Sequence, residues 1–309
     1  MEAYIYDKYG SATALPALLS WSICHGLGEP CDCFELCFIY DKKLFSALNS
    51  AIRMKAFHKG ETVFFGVVDE YGITADEGGC TVRMTGRSLA ALLLDNESQA
   101  CQYVSLSLPT VLRNHIYPWG IADVRTQGMN SLYYFAVASG ESEWSVLRRF
   151  CSFAGNLCPR FSKEGTLILR KGNGAERIID KFTRIEYTDN RYGVISEILV
   201  KNKVTGSSSV VRNDNYVNRG HSCRRVINVT KFIRPDAARY TGRYQINRSK
   251  ENKHFIKITC PELFAAFPGD FVTIKNDPIC YDGRYKVSQS RCFADHNGFG
   301  TTLTLDLEL

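Results

Sequence analysis

The sequence has no long apolar run. Nowhere in its 309 residues do apolar side chains approach the roughly 18 consecutive positions that a membrane-spanning helix needs. This argues against a protein that crosses a membrane with helices. The first twenty residues also lack a basic leader and carry Glu2 and Asp7, which is untypical of a secretory signal. We therefore expect a chain that folds in the cytoplasm.

The chain also lacks the short motifs of common catalytic sites. It contains no G-x-S-x-G nucleophile turn, no H-E-x-x-H zinc motif and no G-x-x-x-x-G-K-[ST] phosphate loop. Asp69, Glu70, Asp76 and Glu77 come nearest to a pair of catalytic carboxylates, and solvated turn acids are the simpler interpretation. The sequence thus favours a protein that is not an enzyme, and no motif in it predicts a cofactor.

Cysteine is present, but not in the arrangement of a disulfide scaffold. The 12 residues are spread from Cys24 to Cys292, which is typical of reduced thiols. Cys24, Cys31, Cys33 and Cys37 form the tightest group, and a zinc site is one interpretation because thiolates are preferred zinc ligands. No C-x2-C knuckle is present. Alternation along CDCFELCFIY favours packing instead, with Cys31, Cys33 and Cys37 on one strand face as small hydrophobes.

Positive charge is concentrated in one part of the chain. Residues 201–257 hold fourteen Lys or Arg and three acidic residues, an excess of +11 in a chain of net charge +6. The remainder is therefore acidic. Such a block is typical of a surface that meets nucleic acid or an acidic protein, and solvated strand faces are the simpler alternative. Seven of its arginines, called here the basic patch, are Arg212, Arg219, Arg224, Arg225, Arg234, Arg239 and Arg243.

Hydrophobic patterning divides the chain into three sections. Residues 1–100 are rich in strand signals, residues 101–175 mix helix with strand, and residues 176–309 return to short strands. The first section is predicted to hold strands at 30–40, 52–57, 62–71 and 80–85 and a short helix at 88–96. The pattern alone predicts two hairpins in the first section and an antiparallel barrel or sandwich in the last, and the two ends could be copies of one architecture.

The middle section contains the clearest helical pattern. Residues 142–154 predict a helix with Gly155 as its C-cap, and a second helix is expected over 109–119. His115 is interpreted as a histidine at the edge of the core. A hairpin follows, with strands near 157–161 and 166–170. In the last section strands are expected at 196–204, 209–213, 254–260, 270–275, 284–289 and 301–307.

Two segments of the first section resemble a known family. They are FFGVVDEY at 64–71 and TGRSLAALLLDNE at 85–97. In them the chain resembles the N-terminal domain of phage baseplate hub proteins, the late control protein D family of contractile-tailed phages and their tailocin relatives. Further pieces match in the same order across nearly the whole chain: PCDCFE at 30–35, EWSVL at 143–147, GN at 155–156, GTL at 165–167, FPGDFV at 267–272 and GRYKV at 283–287.

The resemblance implies a structural protein of the virion. Hub proteins of this family form homotrimers that present a pseudo-sixfold ring, which joins the tail tube to the central spike and encloses the DNA channel. The implied partners are further copies of the chain, the tail tube protein, the central spike protein and other baseplate proteins. DNA passes through the channel without specific binding. The implied location is the tail baseplate, after assembly in the bacterial cytoplasm; phage and tailocin both stay open as the source.

The resemblance also implies a domain plan. The expected fold is mainly β with an α+β middle section: a tail-tube-like β-barrel over 1–100, a mixed α/β domain over 101–175, and a second barrel with a basic insertion over 176–309. The basic patch is expected to face an acidic spike or tube surface, because a channel that conducts DNA should not hold its phosphates tightly.

Three residues of the resembling segments are interpreted structurally. Gly66 permits close backbone approach within a strand, and Gly86 permits a sharp turn from strand to helix. Arg87 then stands at the helix start, where it is expected to form a structural ion pair with Asp69 or Asp95. A solvated arginine is the alternative.

Two other functions stay open. The first is a nucleic-acid-binding β-barrel, in which Tyr240, Tyr244 and Phe255 alternate with basic residues and stack on bases. The second is a cell-wall-binding or cell-wall-degrading protein of the tail tip, for which the sequence offers no catalytic set.

Overall fold

Strands dominate the fold. The computed structural model describes residues 1–27, 31–170, 174–229, 235–250, 253–275, 279 and 283–307. Within these ranges the predicted class, mainly β with a mixed middle section, is confirmed. No helix in the described part of the chain is both long and apolar enough to span a bilayer.

The first section is a strongly curved set of antiparallel strands around its own core. Alternation decides which side chains enter that core, because successive strand residues point to opposite faces. Along the fourth strand Phe34, Leu36 and Phe38 are buried, and they pack with Met54 and Met84. The elements are β1 Glu2–Tyr6, β2 Ala12–Ala14, β3 Leu18–Gly26, β4 Cys33–Ile39, α1 Phe45–Ser50, β5 Arg53–His58, β6 Glu61–Asp76 and β7 Gly79–Ser88.

Two glycines allow β6 and β7 to pack closely. A Cβ at Gly66 would lie 2.1 Å from the carbonyl oxygen of Arg87, and one at Gly86 would lie 2.0 Å from that of Val67. The close approach expected at Gly66 is therefore present. The turn expected at Gly86 is not, because β7 continues to Ser88 and Gly86 instead makes room for the Phe34 ring and the Val67 carbonyl.

The middle section is built around one amphipathic helix. Its elements are α2 Ala91–Leu94, β8 Cys101–Tyr103, α3 Leu108–Val111 with a π-helical turn at Leu112–Ile116 and a 3-10 turn at Tyr117–Trp119, β9 Val124–Thr126, β10 Phe135–Val137, α4 Glu143–Gly155, β11 Arg160–Phe161 and β12 Leu167–Leu169. The α4 helix begins where the sequence predicts, with Ser142 as N-cap. The predicted C-cap is wrong: Asn156 adopts the left-handed conformation, at φ 48°, and Gly155 is the last helical residue.

The last section contains a second set of strands interrupted by an insertion. Its elements are β13 Glu176–Ile179, β14 Arg184–Asp189, β15 Glu197–Asn202, β16 Ser208–Arg212, α5 Asp214–Asn218, β17 Arg224–Val229, α6 Pro235–Lys250, β18 His254–Cys260, β19 Phe271–Ile274, β20 Gly283–Asp295 and β21 Gly298–Asp306. The strands β14 and β18 are paired neighbours, and Asp189 at the end of β14 is opposite His254 at the start of β18. Residues 190–253 are therefore an insertion between two neighbouring strands of the sheet. The expectation of strands throughout this section is wrong at α6.

One large sheet runs through both ends of the chain. Among the described residues its strand order is β14-β18-β21-β20-β3-β4-β7-β6-β5-β1-β2, with β19 and β13 attached to β20. The strand β20 makes the connection, since Gly283–Lys286 pairs with β19 and Gln289–Ala294 pairs with β3. We call the pairing of Gln289–Ala294 with Trp21–Gly26 the seam.

Among the described residues, buried hydrophobic side chains form four clusters. One lies in the first section, one in the middle section, one in the last section and one inside the 190–253 insertion. The middle cluster takes in Leu89 from the turn after β7 and Leu93 from α2. In the insertion, Ile246 of α6 packs on Val200 and Val211. The predicted three-domain division remains a proposal, with the insertion carrying a core of its own.

Candidate functional site

The seam has one apolar and one polar face. On β3, Trp21, Ile23 and His25 are buried, whereas Ser22 and Cys24 point to the other side. The outward residues of the neighbouring strands continue this second surface. We call it the polar face, and its polar members are Ser20, Ser22, Glu35, Arg83, Thr85, Arg291 and Thr302. Cys24, Cys33, Cys37 and the half-buried Phe293 point to the same side.

Two arginines of the polar face are held by local contacts, one with a carboxylate and one with a hydroxyl. Arg83 Nε lies 2.9 Å from Glu35 Oε1, and both side chains are well exposed. Arg291 Nε donates a 3.1 Å hydrogen bond to the Ser22 hydroxyl across the seam. The surface therefore combines hydroxyls and thiols with charged groups, of which Arg83 is paired with a carboxylate and Arg291 is bonded to a hydroxyl.

Arg87 holds two carboxylates at the edge of this face. Its guanidinium bonds Asp69 through Nε and Nη2 at 2.7 and 2.9 Å, and Asp95 through Nη1 and Nη2 at 2.9 and 2.7 Å. The Arg87 hydrogen bonds lower the pKa of Asp95, and the two carboxylates raise the pKa of Arg87. The structure thus brings together the three residues that the sequence singled out, and links β6, β7 and the end of α2 through them.

The cysteine cluster does not form a metal site in the described residues, where no group of three or more His, Cys, Asp or Glu side chains is placed to hold an ion. Cys24 faces Cys33 across β3 and β4, while the Cys31 thiol bonds the Ser88 carbonyl oxygen. The predicted sharing of one face holds for Cys33 and Cys37, but that face is the outward one, because Phe34 and its alternates fill the core.

Both ring nitrogens of His25 have hydrogen-bonding partners inside the first section. Its Nδ1 lies 3.0 Å from Asp32 Oδ2, and its Nε2 lies 3.0 Å from the Val63 carbonyl oxygen. Asp32 also accepts a 2.9 Å hydrogen bond from the Gly26 amide. Both ring nitrogens are therefore engaged, and Cys24 points to the opposite face, so the adjacent pair makes no thiol–imidazole contact.

The acidic turn residues are also held apart from catalytic geometry. Asp69 is bound by Arg87, and Asp76 accepts a 2.9 Å hydrogen bond from the Gly78 amide in the β6–β7 turn. Glu70 and Glu77 are exposed. Nothing in these contacts favours the glycoside-hydrolysis alternative.

The basic patch is partly neutralised by one glutamate. Glu197 accepts from Arg212 Nε at 2.9 Å and from Arg224 Nε at 2.7 Å, and these arginines lower its pKa. The sequence analysis missed Glu197 because it lies just before the basic block begins. Arg234 lies outside the described residues. The exposed members of the patch are Arg212, Arg219, Arg224, Arg225, Arg239 and Arg243.

The aromatic residues named for base stacking do not share one surface element. Tyr240 and Tyr244 belong to α6, whereas Phe255 belongs to β18 of the large sheet. Tyr244 accepts a 3.1 Å hydrogen bond from Arg248 one helical turn later. Tyr240 and Tyr244 are therefore not on barrel strands, which the nucleic-acid-binding β-barrel alternative would need.

Comparisons with solved structures identify the fold. The 43 kDa tail protein of prophage MuSo2 from Shewanella oneidensis superposes with a TM-score of 0.80 at 16% identity, covering 99% of this chain and 98% of that one. A tail protein from Neisseria meningitidis MC58 also gives 0.80, at 15% identity, covering 99% and 96%. The chain has a phage tail-protein fold. The resemblance drawn from the sequence is confirmed at this level.

The tail-protein fold extends to secretion machinery. An E. coli component of the type VI secretion system, itself similar to T4 bacteriophage tail proteins gp27 and gp5, gives a TM-score of 0.60 at 12% identity, covering 94% of this chain and 74% of that one. No family model and no curated protein matches the sequence. The likeness is thus carried by structure at low sequence identity.

Proposed function

We propose that the chain is the structural hub of a contractile-tail baseplate. In this proposal three copies form a pseudo-sixfold ring that joins the tail tube to the central spike and encloses the DNA channel. The seam is the observation that carries it, because β20 and β3 fuse the two end sections of one chain into a single continuous sheet. Three such two-section sheets supply six similar units around a ring, as a threefold-to-sixfold junction requires.

The polar face is the surface that suits the channel wall. A wall that conducts DNA must stay hydrated and must not accumulate unpaired cations, since every phosphate neutralised adds salt-sensitive affinity. Arg83 is matched by Glu35 and Arg87 by two aspartates, while Arg291 bonds the Ser22 hydroxyl rather than a carboxylate. The opposite face of the sheet is filled by apolar core and is not available for this role.

The basic patch is the surface that suits a protein partner. It lies on the insertion, which has its own core and is separate from the polar face of the sheet. Its exposed arginines complement an acidic surface on the tail tube, the central spike or another baseplate protein. The proposed location is accordingly the virion tail, with assembly in the bacterial cytoplasm.

The mass of the purified protein in solution tests this proposal. Light scattering at low and moderate salt should give three times 34.8 kDa, and electron micrographs of the same sample should show rings with a central opening and sixfold-like outline. A monomer at every concentration, with no rings in micrographs, would contradict the proposal. Rings of another subunit number would reject the threefold plan while leaving the tail-protein fold untouched.

A further inference from the structure

Two thiols face each other at the middle of the large sheet. Cys24 on β3 and Cys33 on β4 are directly opposite in an antiparallel pair. Opposed Cα atoms in such pairs are about 4.5–5.5 Å apart, which falls within the separation of about 4.4–6.8 Å that a disulfide spans. Both side chains point to the outward face, so the strands need no slip to join them.

Two arginines flank this thiol pair in the same row of the sheet. Arg291 on β20 is opposite Cys24, and Arg87 on β7 is opposite Cys33. The Cys33 thiol donates a hydrogen bond to Cys24, and with help from Arg291 this lowers the pKa of Cys24 to about 6. The same contact raises the pKa of Cys33, which keeps its proton. The lowered pKa favours the thiolate of Cys24, which is the nucleophilic form of cysteine.

A small reagent can reach the pair. Cys24 and Cys33 line an open cleft of about 560 Å³, together with Lys257 and Arg291. Cys31 lines the same cleft, but its thiol bonds the Ser88 carbonyl oxygen and burial raises its pKa. Cys31 is therefore a poor competitor for reaction.

We propose that Cys24 and Cys33 are a redox modification site, which a hydroperoxide converts to a reversible cross-strand disulfide. The Cys24 thiolate attacks the peroxide oxygen, the O–O bond breaks, and the sulfenic acid forms as hydroxide leaves and is protonated to water. The Cys33 sulfur then attacks the Cys24 sulfur, the S–O bond breaks, and the Cys33 proton leaves with the oxygen as a second water. Two thiols lose two electrons and two protons, and hydrogen peroxide gains them.

The bond would lock β3 to β4 beside the seam. This inference is independent of the hub proposal, since it rests on the register of two strands in one chain. Its effect is to fix covalently a strand that also carries the β20 pairing. Thiol reduction reverses it.

Disulfide mapping of the folded full-length protein tests the site. After hydrogen peroxide treatment and alkylation, we expect two fewer reactive thiols, a mass decrease of two hydrogen atoms, and recovery with dithiothreitol. Asp-N cleavage before Asp32 and Glu-C cleavage after Glu35 place Cys24, Cys33 and Cys37 in different fragments. Sequencing of the linked fragments then distinguishes Cys24 from Cys31.

Single variants separate the role of Cys24, which attacks the peroxide, from that of Cys33, which closes the disulfide. In C33S, Cys24 should remain as a sulfenic acid that dimedone traps, and the pH midpoint of its alkylation should rise above the value near 6 because the Cys33 hydrogen bond is lost. C80S is the matched control: Cys80 is exposed and faces Ala75, so the disulfide should still form. Full alkylation of Cys24 and Cys33 after peroxide, or an equal dimedone signal in wild type and C33S, would overturn the proposal.

Discussion

His115 Nδ1 lies 2.7 Å from Oε2 of Glu143, and the two side chains are only 5% and 6% exposed. The Tyr103 hydroxyl contacts His115 Nε2 at 2.9 Å, and the Ser98 hydroxyl donates to Glu143. Buried polar groups are tolerated when each has a partner. This network therefore fixes α4 against the π-helical turn, with Glu143 as its common acceptor.

Removal of Glu143 should destabilise the protein strongly. E143A leaves the Ser98 hydroxyl and the His115 ring without their acceptor, and we expect the free energy of unfolding to fall by about 2–4 kcal/mol. E143Q retains an acceptor oxygen and should lose less. The measurement is urea unfolding, and E164A is the control because Glu164 is largely exposed in a nearby hairpin. Equal losses for E143A and E164A would show that the network is not structural.

The two ion pairs of Arg87, with Asp69 and Asp95, should stabilise the fold more than an ordinary surface ion pair does. We expect R87A to lower the free energy of unfolding by about 1–2 kcal/mol, between the values for exposed pairs and buried charged hydrogen bonds. R83A is the matched control, since Arg83 lies on the same face of β7 and makes a single exposed pair with Glu35. R87K should lose about as much stability as R87A, because lysine cannot donate two hydrogen bonds to each carboxylate.

Acid should weaken the ion pair between Arg87 and Asp95, and with it part of the stability of the fold. Because Arg87 lowers the pKa of Asp95, the stabilisation is complete above the unfolded pKa of about 4 and is lost as pH falls below it. The difference in unfolding free energy between wild type and R87A should therefore be constant above about pH 5 and narrow below about pH 4. A difference that grew on acidification would contradict the assigned contact.

Gly86 should tolerate no side chain. In G86A the new methyl would lie 2.0 Å from the Val67 carbonyl oxygen and 2.4 Å from the Phe34 ring. Overpacking of this kind costs about 1–3 kcal/mol or more. G72A is the control on the neighbouring strand, since a Cβ there meets no atom within 4 Å. Thermal unfolding should separate the two, and a G86A melting temperature equal to that of G72A would refute the close approach.

Glu197 should limit the affinity of the basic patch for nucleic acid. E197Q releases Arg212 and Arg224, so we expect severalfold tighter binding of duplex DNA at low salt and a salt slope steeper by about 1–2. E176Q is the control, because Glu176 pairs with Arg284 in a different part of the last section. Fluorescence anisotropy measures both. Tight duplex binding by the wild type would count against the proposed hub.

Local pattern predicted much of the fold. The strand at His254–Cys260 was predicted with its observed bounds, and α4 was predicted from its apolar stripe and its terminal charges. The missed strand Leu18–Gly26 carries a signal, since Trp21, Ile23 and His25 alternate with Ser22 and Cys24. The serines and the histidine concealed it.

Other features have little local signal. The helix α6 is polar, and it meets its sheet through Ile246 and through Gly242, where a Cβ would lie 2.7 Å from Val211. Residues that contact each other in the polar network and across the seam are also far apart in the sequence. Glu143 is 28 positions from His115, and Arg291 is 269 positions from Ser22. The Arg291–Ser22 contact is set by sheet register, and the Glu143–His115 contact by the packing of α4 on the π-helical turn, rather than by neighbouring residues.

The seam also dictates an order of events during synthesis. When the ribosome has made the first hundred residues, β4 can pair with one side of β3, but the other side has no partner until β20 emerges. An unpaired strand edge is a template for pairing between chains. In the nascent chain the β3 edge of the first section therefore stays unpaired through most of translation. Premature release or slow elongation should lead to aggregation of truncated chains through this edge.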